Sequence, residues 1–263
     1  MKANQVWNDL KNVKDKGPLV HNITNYVVMN TTANALLAIG AYPVMAHAVD
    51  EVEDMVTIAS SLVVNIGTLS PRWVDAMIKA IKAAKRKGIP IVIDPVGAGA
   101  TPYRTDTCLM LLSAGNPSVI RGNASEIMAL ENAAVKTKGV DSTQSSESAL
   151  DAAKVLAKKY HCIVSISGKI DHLTDGNNVI TLEGGDDMMP KVTGLGCTAS
   201  ALTGAFVAVA EDKLQAAASA MAVMGIAAEM AAEKATGPGT LQLHMLDAFY
   251  NMSEDDVKKK LRS

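Results

Sequence analysis

Aromatic residues are scarce in this chain and make up 3% of its 263 residues. Proteins that hold single-stranded nucleic acid stack the bases on aromatic side chains, and few are present here. The formal net charge is −2, and basic residues form only short runs such as Lys258–Lys260. We therefore expect neither nucleic acid nor an anionic membrane surface as a partner.

Cysteine is also rare, and Cys108, Cys162 and Cys197 form no Cys-x-x-Cys pair. An odd, widely spaced set argues against a disulfide framework or a zinc knuckle and favours a reducing, cytoplasmic compartment. The first residues are polar and contain no apolar segment typical of a signal peptide. The longest uncharged apolar run, residues 216–228, is too short to cross a bilayer and predicts a helix buried in the core or at a subunit contact.

Aliphatic residues and methionine are abundant, since 48% of the chain is hydrophobic and 14 residues are Met. Short β-rich runs alternate with helical patterns, which predicts one α/β domain with a mainly parallel sheet. The predicted strands are 18–20, 42–45, 61–65, 89–94, 118–121 and 162–166, with a hairpin over 169–182. The predicted helices are 26–39, 50–59, 71–87, 105–113, 123–130 and 146–160, with a polar loop at 136–145 and only helices after Gly194.

The stretch from Val192 to Phe206 contains two glycines that lead directly into a helical pattern. A helix entered through glycines exposes several unpaired backbone N–H groups, which suit a phosphate. The segment lacks the Gly-Lys-Ser/Thr ending of a Walker A loop and the third glycine of a dinucleotide fingerprint. A helix that merely follows a glycine turn would have the same pattern.

Polar residues also follow the predicted strands, at the edge where open α/β sheets bind ligands. Asp94 ends one strand and precedes a glycine-rich loop, where it could instead cap the next turn. Asn123 and Glu126 have the spacing of a helix capping box. The alternative is that Asp94 and Glu126 converge on a hydrated Mg²⁺, which binds through few carboxylates, waters and phosphates.

Three further positions carry open interpretations. Arg121 is either a solvated residue at a strand end or a bidentate hydrogen-bond donor to nucleotide phosphates. Ser167-Gly168 fits an ordinary turn. Cys197 follows Gly196 at the helix start, where the helix end is expected to lower the thiol pKa. The thiol could be a nucleophile, a weak general base or a small spacer, and no His adjoins it, so we favour the last two.

An ordered set of short motifs spans nearly the whole chain, and together they resemble the hydroxyethylthiazole kinase family of the ribokinase-like superfamily. The motifs are His21-Asn-Ile-Thr-Asn25 with Asn30, Gly40-Ala-Tyr-Pro-Val-Met45, Asn65-Ile-Gly-Thr68, Asp94-Pro-Val-Gly-Ala-Gly-Ala-Thr101, Arg121-Gly-Asn-Ala-Ser-Glu126 and Val192-Thr-Gly-Leu-Gly-Cys197.

The resemblance implies a three-layer α/β/α fold over residues 1–263 and a homotrimer with active sites between subunits. It also implies ATP- and Mg²⁺-dependent phosphorylation of the hydroxyl of 4-methyl-5-(2-hydroxyethyl)thiazole, in thiamine salvage. Met45 and Gly194 would then contact the thiazole, with Asn25 nearby.

The same resemblance assigns the nucleotide side of the site. Arg121 and Ser167, with the adjoining Gly168, would contact ATP, and Asn123 and Glu126 match the Asn-x-x-Glu motif that supports magnesium and phosphate. Asp94 would complete the metal site with Glu126. Ser167 stands where Thr is frequent, which keeps the hydroxyl, and Lys169-Ile-Asp171 varies from the usual pattern but keeps an acid.

Many sugar kinases of the superfamily have an Asp base at the position of Cys197, and a thiol is usual in thiazole kinases. Phosphoryl transfer through a loose transition state demands positioning and charge neutralisation more than a strong base. We therefore assign most of the catalysis to the backbone donors of Gly194–Cys197, including Gly196, and to magnesium.

Three other functions compete with this one. The first is a related kinase acting on hydroxymethylpyrimidine or a sugar alcohol, although few aromatic rings are available to stack a pyrimidine. The second is a dehydratase that repairs hydrated nicotinamide nucleotides, which would be expected to have Asp at position 197. The third is an inactive thiazole binder, which would not need both Asp94 and Glu126.

Overall fold

The computed structural model describes residues 1–135 and 146–263, and within them eight strands form one sheet. The strands are β1 Leu19–Ile23, β2 Tyr42–Val44, β3 Ser61–Asn65, β4 Ile91–Asp94, β5 Val119–Asn123, β6 Ile163–Ser167, β7 Ile170–Thr174 and β8 Val179–Glu183. The predicted polar loop at 136–145 lies outside the described residues.

The sheet order is β2-β1-β3-β4-β5-β6-β7-β8. The first six strands of this order are parallel, and β7 and β8 are antiparallel to their neighbours. The predicted mainly parallel sheet and the hairpin are therefore both confirmed. A parallel sheet requires crossover connections, and helices provide them here.

Helices cover both faces of the sheet. In chain order they are α1 Ala3–Lys16, α2 Met29–Ala38, α3 Val52–Ile58, α4 Pro71–Lys87, α5 Pro102–Ala114, α6 Ala124–Val135, α7 Ser146–Tyr160, α8 Leu195–Val209, α9 Lys213–Ala232, α10 Pro238–Asn251 and α11 Glu254–Lys260. Two separate hydrophobic clusters result, one with α1, α2 and α8–α11, the other with α3–α7. The architecture is three layers, α/β/α.

The central strands are apolar on both sides because each side faces one helical layer. In β3, Val63 packs into the cluster that contains α8, whereas Leu62 and Val64 pack into the cluster that contains α4. This alternation follows from the two-residue period of a strand. The alternation determines which side chains of each strand face each helical layer.

Some element boundaries differ from those predicted. Helix α5 begins at Pro102, three residues before the predicted start, because the Thr101 side chain accepts the Arg104 N–H at 3.3 Å and Pro102 fits the first turn. Strand β5 extends to Asn123, which pairs with Ser167 of β6. Helix α6 therefore begins one residue later than predicted.

Helix α9 is the longest apolar helix, with 20 residues, and is long and apolar enough to cross a membrane by composition alone. However, 72% of its most apolar window is buried inside the protein, which agrees with the core helix, one of the two predicted alternatives. Ser219 of α9 donates to Asp9 of α1 at 2.6 Å, and both side chains are buried. This hydrogen bond joins α1 to α9 inside one layer.

Candidate active site

A cavity of about 790 Å³ runs along the carboxyl edge of the sheet, past the ends of β4, β5, β6 and β8. Ligands of open α/β sheets bind at this edge. Nine of the predicted site residues line it: Asp94, Arg121, Asn123, Glu126, Ser167, Gly168, Gly194, Gly196 and Cys197. Met45 and Asn25 are not among its lining residues.

The start of α8 forms one wall of this cavity. Gly194 precedes the helix with φ +83°, in the left-handed region that favours glycine. A Cβ at this position would also lie 2.6 Å from Val28 Cγ1, so glycine is required for space as well. Leu195, Gly196 and Cys197 of the first turn line the cavity, and the first amides of a helix have no hydrogen-bond partner within the helix.

Arg121 lies directly against this helix start. Its side chain is buried, and Nε has no hydrogen-bond partner within residues 1–135 and 146–263. A Cβ on Gly196 would be 2.9 Å from Arg121 Nη1, so the absence of a side chain at 196 lets the guanidinium approach. A buried cation beside free amides is arranged to receive an anion.

Asp94 is almost fully buried at the end of β4. Its Oδ2 accepts hydrogen bonds from Asn65 Nδ2 at 2.8 Å and from Ser200 Oγ at 2.7 Å. Burial raises the pKa of Asp94 to about 6, and the charge of Glu126 adds to the rise while that of Arg121 opposes it. These partners lie on β3 and α8, so the carboxylate connects two elements and is not limited to capping the next turn.

Glu126 forms the predicted capping box with Asn123. Asn123 N donates to Glu126 Oε2 at 2.8 Å, and Glu126 N donates to Asn123 Oδ1 at 2.9 Å. Glu126 Oε1 also accepts the Gly97 N–H at 2.9 Å, which ties the loop after β4 to α6. The capping role and a place at the cavity are thus compatible, because each carboxylate oxygen keeps a further lone pair.

Asp94 and Glu126 are the two lining carboxylates that the sequence predicts as cation ligands. The described residues contain no group of three or more His, Cys, Asp or Glu arranged for a metal. Mg²⁺ is commonly held by one or two carboxylates together with waters and phosphates, so a pair suits it. Burial and the charge of Glu126 raise the pKa of Asp94, and a cation bound between the two carboxylates would lower it again.

The expectation for the Cys197 thiol is wrong. The helix end was expected to lower its pKa, but burial raises the pKa to about 11, and the negative charge of Asp94 contributes to the rise. Asn25 Nδ2 donates toward Cys197 Sγ at 3.5 Å. The thiol is therefore protonated at neutral pH, which makes it a poor nucleophile and a poor base.

The end of β6 contributes a hydroxyl and a turn. Ser167 lines the cavity, and its Oγ lies 3.5 Å from the Gly122 carbonyl oxygen, a long hydrogen bond that leaves the hydroxyl available. Gly168 N donates to Asp171 Oδ1 at 2.9 Å. The amide of Gly168 is thus already engaged within the turn.

Asn25 follows β1 and Met45 follows β2, so both lie at the carboxyl edge of the sheet. Asn25 is buried and reaches Cys197, while its Nδ2 also donates to Asn65 Oδ1 at 2.9 Å. Met45 follows β2 directly and is half-buried. Nothing in the described contacts joins Met45 to Gly194.

Sequence reasoning missed Asn65, Ser200 and Arg104. Asn65 stood in a quoted motif without a role, and Ser200 lies one helical turn after Cys197, a spacing that could have placed it on the same face. No sequence pattern pointed to Arg104, because its guanidinium donates to backbone carbonyls of the loops after β3 and β4.

The part of the cavity near β8 differs in chemistry. Met221, Met224 and Gly225 of α9 form an apolar wall opposite Gly184 and Gly185. A Cβ on Gly225 would lie 3.3 Å from Gly185 N, which shows how closely the helix and the loop approach. The cavity thus combines a cationic, amide-rich part with an apolar part.

The fold and this site define the class of protein. A ribokinase-like superfamily protein from Enterococcus faecalis superposes with a TM-score of 0.65 over 97% of this chain and 96% of its own, at 13% identity, which supports the fold alone. The chain has the ribokinase-like fold, with a candidate anion site at the edge of its sheet.

The family follows from closer relatives. Residues 10–255 match the model of the Hydroxyethylthiazole kinase family. A hydroxyethylthiazole kinase from Syntrophus aciditrophicus is 57% identical over 97% of this chain and 95% of its own length. The structure of a hydroxyethylthiazole kinase from Pyrococcus horikoshii superposes with a TM-score of 0.92 at 43% identity, covering 98% of both chains. The chain belongs to the hydroxyethylthiazole kinase family.

Proposed function

We propose that the protein transfers the γ-phosphoryl group of ATP to the hydroxyl of 4-methyl-5-(2-hydroxyethyl)thiazole, with Mg²⁺. The observation that carries the proposal is the buried Arg121 guanidinium, whose Nε has no partner in the described part of the chain, against the glycine-containing first turn of α8. The activity in the names of the family relatives supplies the acceptor.

The nucleotide is best accommodated along the length of the cavity. Its triphosphate suits Arg121 and the α8 amides, because both favour negative charge. The apolar wall of Met221 and Met224 suits a nucleobase. Ser167, Gly168 and Asn123 also line the cavity, in keeping with their proposed contacts to ATP.

Asp94 and Glu126 are the residues that would hold Mg²⁺. The ion would neutralise charge on the transferring phosphoryl group. Asn65 and Ser200 orient the Asp94 carboxylate, and the Gly97 and Asn123 amides orient that of Glu126. Both carboxylates are therefore positioned before any ligand binds, which lowers the reorganisation needed during transfer.

The acceptor alcohol belongs beside Gly194, Asn25 and Cys197. With its pKa raised to about 11, the Cys197 thiol is protonated and acts as a small spacer at the helix start. In a loose transition state the bond between the γ-phosphorus and ADP breaks early, and the hydroxyl proton leaves late, to a phosphoryl oxygen or to water. Alignment by the Gly194–Cys197 amides, together with charge neutralisation by Mg²⁺, therefore provides most of the rate.

A homotrimer with sites shared between subunits is part of the proposal. Tyr26 and Val27, which follow β1 close to Asn25, are 64% and 66% exposed. Exposed apolar residues grouped near a site favour a protein contact. Met45 follows β2 at the same edge of the sheet, outside the cavity lining. In a trimer it would therefore contact the thiazole bound in the site of a neighbouring subunit.

The proposal extends to the cellular role, which is the salvage of the thiazole for thiamine. Cys108, Cys162 and Cys197 are free thiols. Free thiols are in keeping with a cytoplasmic enzyme.

The decisive experiment offers the protein MgATP with three alcohols: hydroxyethylthiazole, hydroxymethylpyrimidine and ribose. We expect phosphate on the thiazole alcohol alone, identified by the mass of the product. Phosphate only on the pyrimidine or the sugar would overturn the substrate assignment.

A matched pair of variants tests the site in the same assay. Arg121→Ala should remove nucleotide binding, whereas Arg72→Ala changes an exposed arginine of α4 and should have no effect. Equal activity of the two variants would contradict the placement of the triphosphate.

A further inference from the structure

Arg104 connects the two loops that follow β3 and β4. It lies in the first turn of α5 and its guanidinium donates only to backbone carbonyls in the described residues. Nη1 donates to Ile66 O at 3.1 Å and to Val96 O at 2.7 Å, and Nη2 donates to Gly67 O at 3.0 Å. Three hydrogen bonds from one planar group fix two loops at once.

The loop after β3 positions one of the proposed metal carboxylates. Gly67 N donates to Asn65 Oδ1 at 2.9 Å, and Asn65 Nδ2 donates to Asp94 Oδ2 at 2.8 Å. Asn65 Oδ1 also accepts from Asn25, which reaches Cys197. A shift of the loop at Gly67 therefore changes the orientation of the Asn65 amide and, through it, of Asp94.

The loop after β4 positions the other carboxylate. Gly97 N donates to Glu126 Oε1 at 2.9 Å, and Val96 O, one residue earlier, is held by Arg104. Gly97 has φ +74°, and a Cβ there would lie 3.2 Å from Arg104 Cδ and Nη1. Glycine at 97 thus lets the arginine pack against the loop that it holds.

We infer that Arg104 is a positioning residue for the metal–nucleotide complex, although it touches neither substrate. Through the two loops it holds Asp94 and Glu126 in one arrangement, and this inference rests on the proposed function. A lysine cannot replace it, because one ammonium group lacks the planar fork that reaches three carbonyls. Supporting groups behind metal ligands commonly control affinity for the metal.

The test measures metal binding directly as well as activity. Mn²⁺ is titrated into wild type, Arg104→Lys and Arg104→Ala with a non-hydrolysable ATP analogue, and free Mn²⁺ is followed by electron paramagnetic resonance. We expect both variants to bind Mn²⁺ roughly tenfold to a hundredfold more weakly. The KM for hydroxyethylthiazole should rise by a smaller factor than the Mn²⁺ dissociation constant, because Arg104 reaches Asn25 only through the Asn65 amide but holds both loops that position the carboxylates. Millimolar methylguanidinium should partly restore Mn²⁺ binding to Arg104→Ala.

Arg86→Ala is the control, since Arg86 is an exposed arginine that pairs with Glu53. Mn²⁺ affinity unchanged in Arg104→Lys would overturn the inference. An equal loss of Mn²⁺ affinity and thiazole affinity that methylguanidinium does not restore would also overturn it, because such a loss indicates that the substitution disrupts the whole site. If the wild-type protein binds Mn²⁺ and the nucleotide but phosphorylates no thiazole, the proposed acceptor is refuted. The Mn²⁺ titration still decides the role of Arg104 in that case.

Discussion

Replacing Gly196 with alanine separates the stability of the protein from its catalysis. Gly196 is the second residue of α8, and the added Cβ would lie 2.9 Å from Arg121 Nη1. Ordinary contact begins at 3.4 Å, so the guanidinium must move by about 0.5 Å. Arg121 borders the cavity, so the guanidinium can move into it, but only by leaving its place at the helix start.

The added methyl group should leave stability nearly unchanged but lower the rate. Alanine in place of glycine favours a helix by up to about 1 kcal/mol, which offsets the cost of moving the arginine. The melting temperature should then stay within about 2–4 °C of wild type. A displacement of about 1 Å can cost roughly a hundredfold in rate, so we expect a tenfold or larger loss in kcat/KM for ATP.

The assay titrates ATP at saturating thiazole, with thermal unfolding recorded on the same samples. Gly239→Ala is the matched control. Gly239 lies in the first turn of α10, and apart from its chain neighbours and its own helix backbone no atom of residues 1–135 and 146–263 lies within 4 Å of its added Cβ. This control should leave kcat/KM for ATP unchanged. A folded Gly196→Ala protein with the wild-type constant for ATP would refute the contact between Arg121 and the glycine start of α8.

Four further results are expected. Glu126→Ala, which removes two hydrogen bonds from backbone amides, should lower kcat at least about a hundredfold in steady-state assays, and near-normal activity would contradict its metal role. Cys197→Asp should keep or raise kcat, because the thiol is no base, and an inactive but folded variant would refute this. Alkylation of Cys197, followed by mass spectrometry, should keep accelerating with pH up to about 11, whereas a plateau near neutral pH would show a lowered pKa. Ser253→Ala should cost about 1 kcal/mol of unfolding free energy in denaturant titrations, because its hydroxyl caps α11, and no change would contradict that capping.

Much of the fold could be predicted because its signals are local. Strand β3 and helices α4 and α7 have their predicted bounds. In α4, Pro71 at the first position and Gly88 after the last define the ends by backbone geometry alone. The start of α5 was missed although Thr101-Pro102 carries the same kind of signal.

The candidate site could be predicted only in part. Residues at strand ends were brought together, since the carboxyl ends of parallel strands share one edge. The contacts of Asn65 and Ser200 with Asp94 depend on strand register and on the packing of α8 against the sheet, which no local pattern encodes. The pKa of Cys197 was predicted with the wrong sign because burial and Asp94 outweigh the helix end.

The hydrogen bond between Asp9 and Ser219 joins residues 210 positions apart in the chain. Contacts so distant in sequence form late, because a long loop must close before they are made. During synthesis on the ribosome, α1 must therefore wait for α9 to emerge, while the layer of α3–α7 assembles from neighbouring segments. The unpaired apolar face of α1 would be exposed throughout that interval and is where a nascent-chain chaperone would first be needed.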